Sequence, residues 1–97
     1  MFLRKYLNDF YFNLLLEQYD EDYLLSVDEN KFEEIYNLFI DNNFYFVNDV
    51  IIRYLEIFSL DKETVNNGLT KLRDNLGNHF VYLIGNDMRH LEEIFNN

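Results

Sequence analysis

The sequence predicts an all-α protein of about five to six short helices, arranged as two stacked α-hairpin repeats of roughly 33 residues behind an aromatic-rich N-terminal helix. Three observations support this fold class. Apolar residues recur three and four positions apart along most of the chain, proline is absent, and the chain has only 3 glycines. With 97 residues, of which 48% are hydrophobic, we expect residues 1–97 to form a single helical domain.

The first predicted helix covers residues 1–19. Its apolar side chains have helical spacing: Leu3, Tyr6, Leu7, Phe10, Tyr11, Leu14 and Leu15. Acidic residues 20–22 then predict a break. Aromatic side chains occur on several sides of the helix, which is typical of a surface that docks or self-associates, so a homodimer is one predicted arrangement. The aromatic residues concerned are Tyr6, Tyr11, Phe12 and Tyr19.

A second helix is predicted from about Asp28 to Asp41. Ser26-Val27-Asp28-Glu29 has the pattern of a capping box, in which the Ser26 hydroxyl would accept a hydrogen bond from the Glu29 amide. The inward stripe of this helix consists of Phe32, Ile35, Tyr36 and Phe39. Asn42-Asn43 predicts a turn, and residues 44–46 after it are expected to be extended.

Further helices are predicted in the second half of the chain. The third begins with Asn48 or Asp49 as its cap and runs through Phe58. The fourth follows the Ser59-Leu60-Asp61 cap, ends at Gly77, and carries an apolar seam of Val65, Leu69, Leu72 and Leu76.

The C-terminal part of the chain is predicted to add a short helical turn and a last helix. The turn covers Phe80–Ile84 and is closed by Gly85. Asn86-Asp87 then caps the last helix, whose inward residues are expected to be Met88, Leu91, Ile94 and Phe95.

Two parts of the chain align with each other at an offset of about 33 residues, a period typical of stacked helix pairs. Residues 24–28 align with 57–61, and after a one-residue gap Phe46-Val47 aligns with Phe80-Val81. Any two capped amphipathic helices would give a similar alignment, so this alternative stays open.

The second unit carries a family resemblance. Residues 46–58, the Ser59-Leu60-Asp61 cap, the seam ending at Leu76-Gly77, and Val81-Tyr82-Leu83-Ile84 resemble the repeat of the mitochondrial transcription termination factor (mTERF) family. The resemblance covers roughly residues 24–95 and implies a curved solenoid of helix pairs. It also implies nucleic-acid binding along a basic concave groove. Residues 21–60 hold nine acidic and two basic side chains, so no basic groove residue carries over.

The net charge of −10 is the feature of the sequence that most directly indicates the kind of binding partner. It favours a protein partner with a basic surface and disfavours nucleic acid and anionic membranes. The alternative is that the acidity serves only solubility. The residues that we expect to bind the partner combine clustered acids with tyrosines: Asp20, Glu21, Asp22, Asp28, Glu29, Glu33, Glu34, Tyr19 and Tyr23.

No motif of catalysis or cofactor binding is evident. Cysteine is absent, no phosphate-binding loop occurs, and the two histidines lie beside no nucleophile signature. We therefore expect no enzyme activity, no catalytic, cofactor-binding or metal-binding residues, and no cofactor. We also expect a cytoplasmic location, because neither a signal peptide nor a membrane-spanning stretch is evident.

The sequence predicts a non-enzymatic acidic interaction module. A specific form is a nucleic-acid-mimicking inhibitor from a phage or mobile element, of the anti-defence or anti-CRISPR type, that blocks a basic groove on its target. One alternative is a short mTERF-like nucleic-acid-binding protein, which would gather Arg4, Lys5, Lys62, Lys71, Arg73 and Arg89 on one face. Another is an antitoxin- or immunity-type partner.

Overall fold

Helices make up the regular structure of residues 1–96, which the computed structural model describes. Six α-helices follow one another: α1 (Asp9–Gln18), α2 (Glu21–Ser26), α3 (Glu29–Asp41), α4 (Val47–Arg53), α5 (Lys62–Leu76) and α6 (Phe80–Asn86). Segments of the tighter 3₁₀ helix lie at Phe2–Lys5, Leu55–Ser59 and Met88–Asn96. No strand occurs within residues 1–96, and the all-α prediction is confirmed.

The centre of the core is a series of aromatic contacts along α3. Phe32 stacks on Phe58 with 4.8 Å between ring centroids. Phe39 contacts Phe58 at 5.5 Å and Phe44 at 4.9 Å. All four rings are at most 1% exposed, and each such pair contributes about 0.5–1.5 kcal/mol beyond the burial of its area. The 3₁₀ segment Leu55–Ser59 and α5 therefore pack against α3, which lies in the middle of the fold.

The seam predicted for the fourth helix is confirmed in α5. Val65, Leu69 and Leu72 are at most 2% exposed, and Leu76 is half-buried. The helix ends where Gly77 takes φ 87° and ψ −167°, a backbone conformation that is essentially restricted to glycine. Both the inward face of α5 and its C-terminal end therefore follow from the local sequence.

The prediction of one continuous helix over residues 1–19 is wrong. A 3₁₀ turn covers Phe2–Lys5, and α1 begins only at Asp9. The side-chain oxygen of Asn8 accepts a hydrogen bond from the Tyr11 amide at 2.9 Å and caps the new helix. Because a capping side chain satisfies an amide that an N-terminus leaves free, it favours a fresh helix start at this point.

The aromatic side chains near the N-terminus lie mostly inward. Phe12 is buried, and Tyr6, Tyr11 and Tyr19 are half-buried. Phe10 is the exposed ring of α1, with 68% of its surface accessible. The aromatic set predicted for self-association is thus largely part of the packing.

The stretch between α1 and α3 agrees in part with the prediction. The helical structure does break at Tyr19 and Asp20, which are extended, but the break is shorter than predicted: Glu21 and Asp22 form the first turn of α2, where the helix dipole favours negative charge. Ser26 is not a cap, because its hydroxyl donates to the Tyr23 carbonyl oxygen at 2.6 Å. Asp28 caps α3 instead, accepting a hydrogen bond from the Lys31 amide at 2.9 Å.

The segment between α3 and α5 also differs from the prediction. Tyr45 and Phe46 form a turn rather than an extended strand, and α4 begins at Val47, before the predicted caps. The helix predicted to continue through Phe58 ends at Arg53, and Tyr54 takes φ −136° and ψ 48°. Its continuation is interrupted because the Leu55 amide donates to the Tyr19 hydroxyl oxygen at 3.2 Å instead of to a carbonyl of the preceding turn.

Two details of the C-terminal part are corrected. Gly85 lies within α6 and does not close it, since the helix continues to Asn86. Phe95 is 43% exposed, whereas Met88, Leu91 and Ile94 are at most 9% exposed. Side chains of a 3₁₀ helix align every three residues, so positions 88, 91 and 94 share the inward face and position 95 does not. Residue 97 lies outside the described residues.

The two predicted repeat units would pair α3 with α4 and α5 with α6. The offset of 33 residues also aligns Phe32 with Val65 and Phe39 with Leu72, which are buried, but it aligns the exposed Leu25 with the buried Phe58. The repeat organisation stays a prediction. Among residues 1–96, no helix has both the length and the apolar character that crossing a membrane requires.

Candidate functional site

A stacked pair of tyrosines marks the junction of α1 and α2. The Tyr19 and Tyr23 rings lie 5.3 Å apart between centroids at an interplanar angle of 23°. The Tyr19 hydroxyl donates to the Glu56 carboxylate at 3.0 Å and accepts from the Leu55 amide. The Tyr23 hydroxyl forms a hydrogen bond with the Ser59 side chain. Both phenols are thus held against the 3₁₀ segment Leu55–Ser59, which fixes the orientation of the stack.

The environment of these phenols keeps them neutral. Burial raises the pKa of Tyr19, and the hydrogen bond to Glu56 raises it further, although the Leu55 amide acts in the opposite direction. Burial and the negative charge of Glu56 also raise the pKa of Tyr23. The pair therefore presents neutral aromatic rings beside negative charge.

Three consecutive acidic residues adjoin the tyrosine pair. Asp20, Glu21 and Asp22 are exposed, and no side chain in residues 1–96 forms a hydrogen bond or ion pair with their carboxylates. Asp20 also lines a shallow cavity of about 380 Å³ together with Gln18, Glu56 and both tyrosines. Uncompensated negative charge is therefore concentrated next to an immobilised aromatic surface.

The other predicted acidic residues lie on α3 and are partly engaged. Glu29 forms an ion pair with Lys5 at 3.0 Å, and this hydrogen bond raises the pKa of Lys5. Asp28 caps α3. Glu33 adds negative charge near Lys5 and Tyr6, so it faces the 3₁₀ turn at the N-terminus. Glu34 is exposed.

The predicted binding residues thus form two groups with different neighbours. Tyr19 and Tyr23 contact the segment Leu55–Ser59, whereas Glu29 and Glu33 face the N-terminal turn. The first group gains Glu56, which the predicted set left out because it is 37 residues from Tyr19 in sequence. Its acidity was visible in the sequence, but its position depends on tertiary packing. We call the following residues the acidic–aromatic surface: Tyr19, Asp20, Glu21, Asp22, Tyr23 and Glu56.

Several basic residues already have partners within the protein. Arg4 lies 3.6 Å from Asp9, and Lys31 lies 3.5 Å from Asp61. Arg73 donates to the Asn42 side chain at 2.8 Å. Together with Lys5 and Arg89, these residues lie on elements from the N-terminal turn to the C-terminal segment, and their charge is distributed among local contacts.

The site offers recognition chemistry. Carboxylates and tyrosine rings together bind guanidinium or ammonium groups through ion pairs and cation–π contacts. Within residues 1–96, no group of three or more His, Asp or Glu side chains is placed to hold a metal ion. Asp87 lies near His90, but both of its carboxylate oxygens accept hydrogen bonds from the Arg89 guanidinium at 2.9 Å.

Comparison with known proteins gives no match, whether against protein-family models, curated proteins or solved structures. The fold and the site therefore carry the functional inference. Together they define a small all-α protein with an acidic–aromatic surface. The mTERF-like resemblance stays a prediction.

Proposed function

We propose that this protein is a non-enzymatic interaction module that binds a basic surface on a partner protein. The observation that supports this most strongly is the run of exposed, unpaired carboxylates at Asp20, Glu21 and Asp22 beside the fixed Tyr19–Tyr23 stack. Charges without an internal partner contribute fully to the field outside the protein. They attract a positively charged partner and accelerate its encounter.

The tyrosine pair supplies what charge alone lacks, which is a defined contact area. Tyrosine is enriched at protein interfaces and among the residues that dominate binding energy. Because hydrogen bonds to Glu56, Leu55 and Ser59 already orient the pair, binding would cost little additional side-chain entropy. The acidic–aromatic surface thus combines electrostatic attraction with a preorganised anchor.

A more specific form of the proposal is nucleic-acid mimicry. Consecutive carboxylates at the start of α2 present several negative charges close together, as phosphates do along a nucleic acid. The partner would then be a protein with a basic nucleic-acid-binding groove, which this protein would occupy and block. Inhibition of a defence nuclease by a phage or mobile element, acting in the cytoplasm, is the biological setting that we propose.

The contacts of three basic residues favour a protein partner over a nucleic-acid partner, although Lys62 and Lys71 form no ion pair within residues 1–96. Direct binding needs lysines and arginines that are free to contact phosphates along one face. Lys5 and Arg89 form ion pairs with acids at 3.0 Å and 2.9 Å, and Arg4 lies 3.6 Å from Asp9. Phosphate contacts by these side chains would have to compete with carboxylates already in place.

The proposal can be tested by separating direct binding from competition. Fluorescent single- and double-stranded DNA and RNA are titrated with the purified protein at low salt, and we expect no binding. The protein is then added to complexes between labelled DNA and a panel of purified nucleases with basic grooves. We expect displacement from at least one nuclease, and this displacement should weaken as salt rises. Tight direct binding of nucleic acid, with a steep loss at high salt, would contradict the proposal.

A further inference from the structure

The shallow cavity beside the stacked tyrosines differs in charge from other cavities of the protein. Two carboxylates line it, and no lysine or arginine does. Its residues are Gln18, Tyr19, Asp20, Tyr23 and Glu56, and we call it the tyrosine cavity. Four further cavities of residues 1–96 each include a lysine or an arginine, drawn from Arg53, Lys71 and Arg89. A positively charged group would therefore be attracted into the tyrosine cavity without meeting a like charge on its wall.

The acceptor atoms of the tyrosine cavity are available for a ligand. The Tyr19 hydroxyl donates to Glu56 Oε2 at 3.0 Å, whereas Glu56 Oε1 accepts no hydrogen bond within residues 1–96. The Asp20 carboxylate likewise forms no hydrogen bond or ion pair with a side chain of that range. A group that enters the cavity can thus reach acceptors on two separate carboxylates.

We propose that the tyrosine cavity receives an arginine side chain of the partner, in preference to a lysine. This inference rests on the proposed function, because it takes the partner to be a basic protein. A guanidinium is planar and carries five N–H donors in a fixed fork, so it can donate to several acceptors while it stacks on an aromatic ring. Asp20 and Glu56 provide the acceptors, and the tyrosine pair provides the rings.

Size and hydration favour the same occupant. Ligand cavities usually measure about 300–1,000 Å³, so a cavity of about 380 Å³ is suited to the end of one side chain. A guanidinium is weakly hydrated and lies readily against a ring, whereas an ammonium is compact and strongly hydrated. Because the Leu55–Ser59 segment already holds both tyrosine hydroxyls, the rings need little reorganisation to contact a guanidinium.

Two fluorescent peptides of equal length and charge test the inference, one with arginines and the other with lysines at the same positions. Anisotropy titrations at low salt give the affinity of the protein for each peptide. We expect the arginine peptide to bind more tightly by about fivefold or more. Tyr23→Leu removes a ring from the cavity without changing its charge, and it should reduce this preference to about twofold or less. Phe10→Leu is the matched control, because it removes a ring that is 68% exposed on α1, and it should keep the preference.

Equal affinities for the two peptides would overturn the inference and leave the proposed function in place. An equal preference for arginine in Tyr23→Leu and Phe10→Leu would also overturn it, since the selection would then arise elsewhere on the protein. Failure of both peptides to bind would contradict the proposed function, and the inference with it. Circular dichroism establishes that each variant is folded. If Tyr23→Leu does not fold, Glu56→Gln takes its place with the exposed Glu63→Gln as its control, and only the first should lower the preference for arginine.

Discussion

The hydroxyl of Tyr19 connects the end of α1 to the segment Leu55–Ser59 through two hydrogen bonds. It donates to the Glu56 carboxylate at 3.0 Å and accepts from the Leu55 amide at 3.2 Å. The second bond replaces the helical hydrogen bond that would carry α4 onward. The first bond brings an acidic side chain to the tyrosine pair. One phenol thus ends the helical run near Arg53 and assembles the acidic–aromatic surface.

Removing the hydroxyl in Tyr19→Phe should destabilise the protein by about 1–2 kcal/mol, because the Leu55 amide and the Glu56 carboxylate lose their partner. Urea unfolding measures the change. Tyr11→Phe is the control: Tyr11 is also half-buried, but within residues 1–96 its hydroxyl has no hydrogen-bond partner. It should change stability by less than about 0.5 kcal/mol. Equal losses in the two variants would show that the Tyr19 hydroxyl has no special role.

Because of Tyr19, the free energy of unfolding should change with pH in the alkaline range. Burial raises the pKa of Tyr19 above its ordinary value of 10.0, so the folded state favours the neutral form. The stabilisation that this raised pKa represents is fully present below pH 10.0. It is lost as pH rises toward the raised pKa, because Tyr19 ionises in the unfolded chain at a lower pH than in the folded protein. The stability difference between the unmodified protein and Tyr19→Phe should therefore shrink above pH 10.0. A difference that stays constant in urea titrations at increasing pH would contradict this explanation.

Gly77→Ala should destabilise the protein by about 1–3 kcal/mol, because an alanine at φ 87° and ψ −167° is strained. No atom lies within 4 Å of the position a Cβ would take, so the cost comes from the backbone and not from a clash. Thermal and urea unfolding give the value. Asn78→Ala, at the exposed neighbouring residue, serves as the control. A stability close to that of the unmodified protein would mean that α5 does not need this backbone conformation to end.

The Asp87–Arg89 pair at the start of the segment Met88–Asn96 should be detectable in an acid titration. Hydrogen bonds from Arg89 lower the pKa of Asp87 to about 2 from an ordinary value of 3.8. Any stabilisation from this pair is present above pH 3.8 and is lost as pH falls through about 2. An NMR titration of the Asp87 carboxyl carbon measures its midpoint. In Arg89→Gln the midpoint should move up toward 3.8, and an unchanged midpoint would rule out Arg89 as the cause.

The features that the sequence predicted well depend on neighbours in sequence. Val65, Leu69 and Leu72 share one face because of helical geometry alone, and Gly77 ends α5 through its own backbone freedom. The inward positions Phe32, Ile35 and Phe39 of α3 follow in the same way. Tyr19, Tyr23 and the acidic residues between them were expected to act together because they are adjacent in the chain.

The features that the sequence did not predict come from tertiary contacts or from competition between similar local signals. The break at Tyr54 depends on the Tyr19 hydroxyl at the end of α1, whose oxygen accepts a hydrogen bond from the Leu55 amide, and no local pattern predicts this contact. Glu56 joins the acidic–aromatic surface for the same reason. Ser26 and Asp28 are both common caps, and the choice of Asp28 places the start of α3 two residues later than the capping box implies.

The most direct test of the central claim compares two variants with equal net charge. Asp20→Asn/Glu21→Gln/Asp22→Asn neutralises the acids of the acidic–aromatic surface, and Asp41→Asn/Asp74→Asn/Glu93→Gln neutralises three exposed acids elsewhere. The binding of each variant to a fluorescent arginine-rich peptide is measured by anisotropy across a salt series. We expect the first variant to lose about tenfold or more in affinity at low salt and the second to lose far less, because position matters beyond net charge. Equal losses would show that only overall acidity attracts cations, and would contradict the proposed role of this surface.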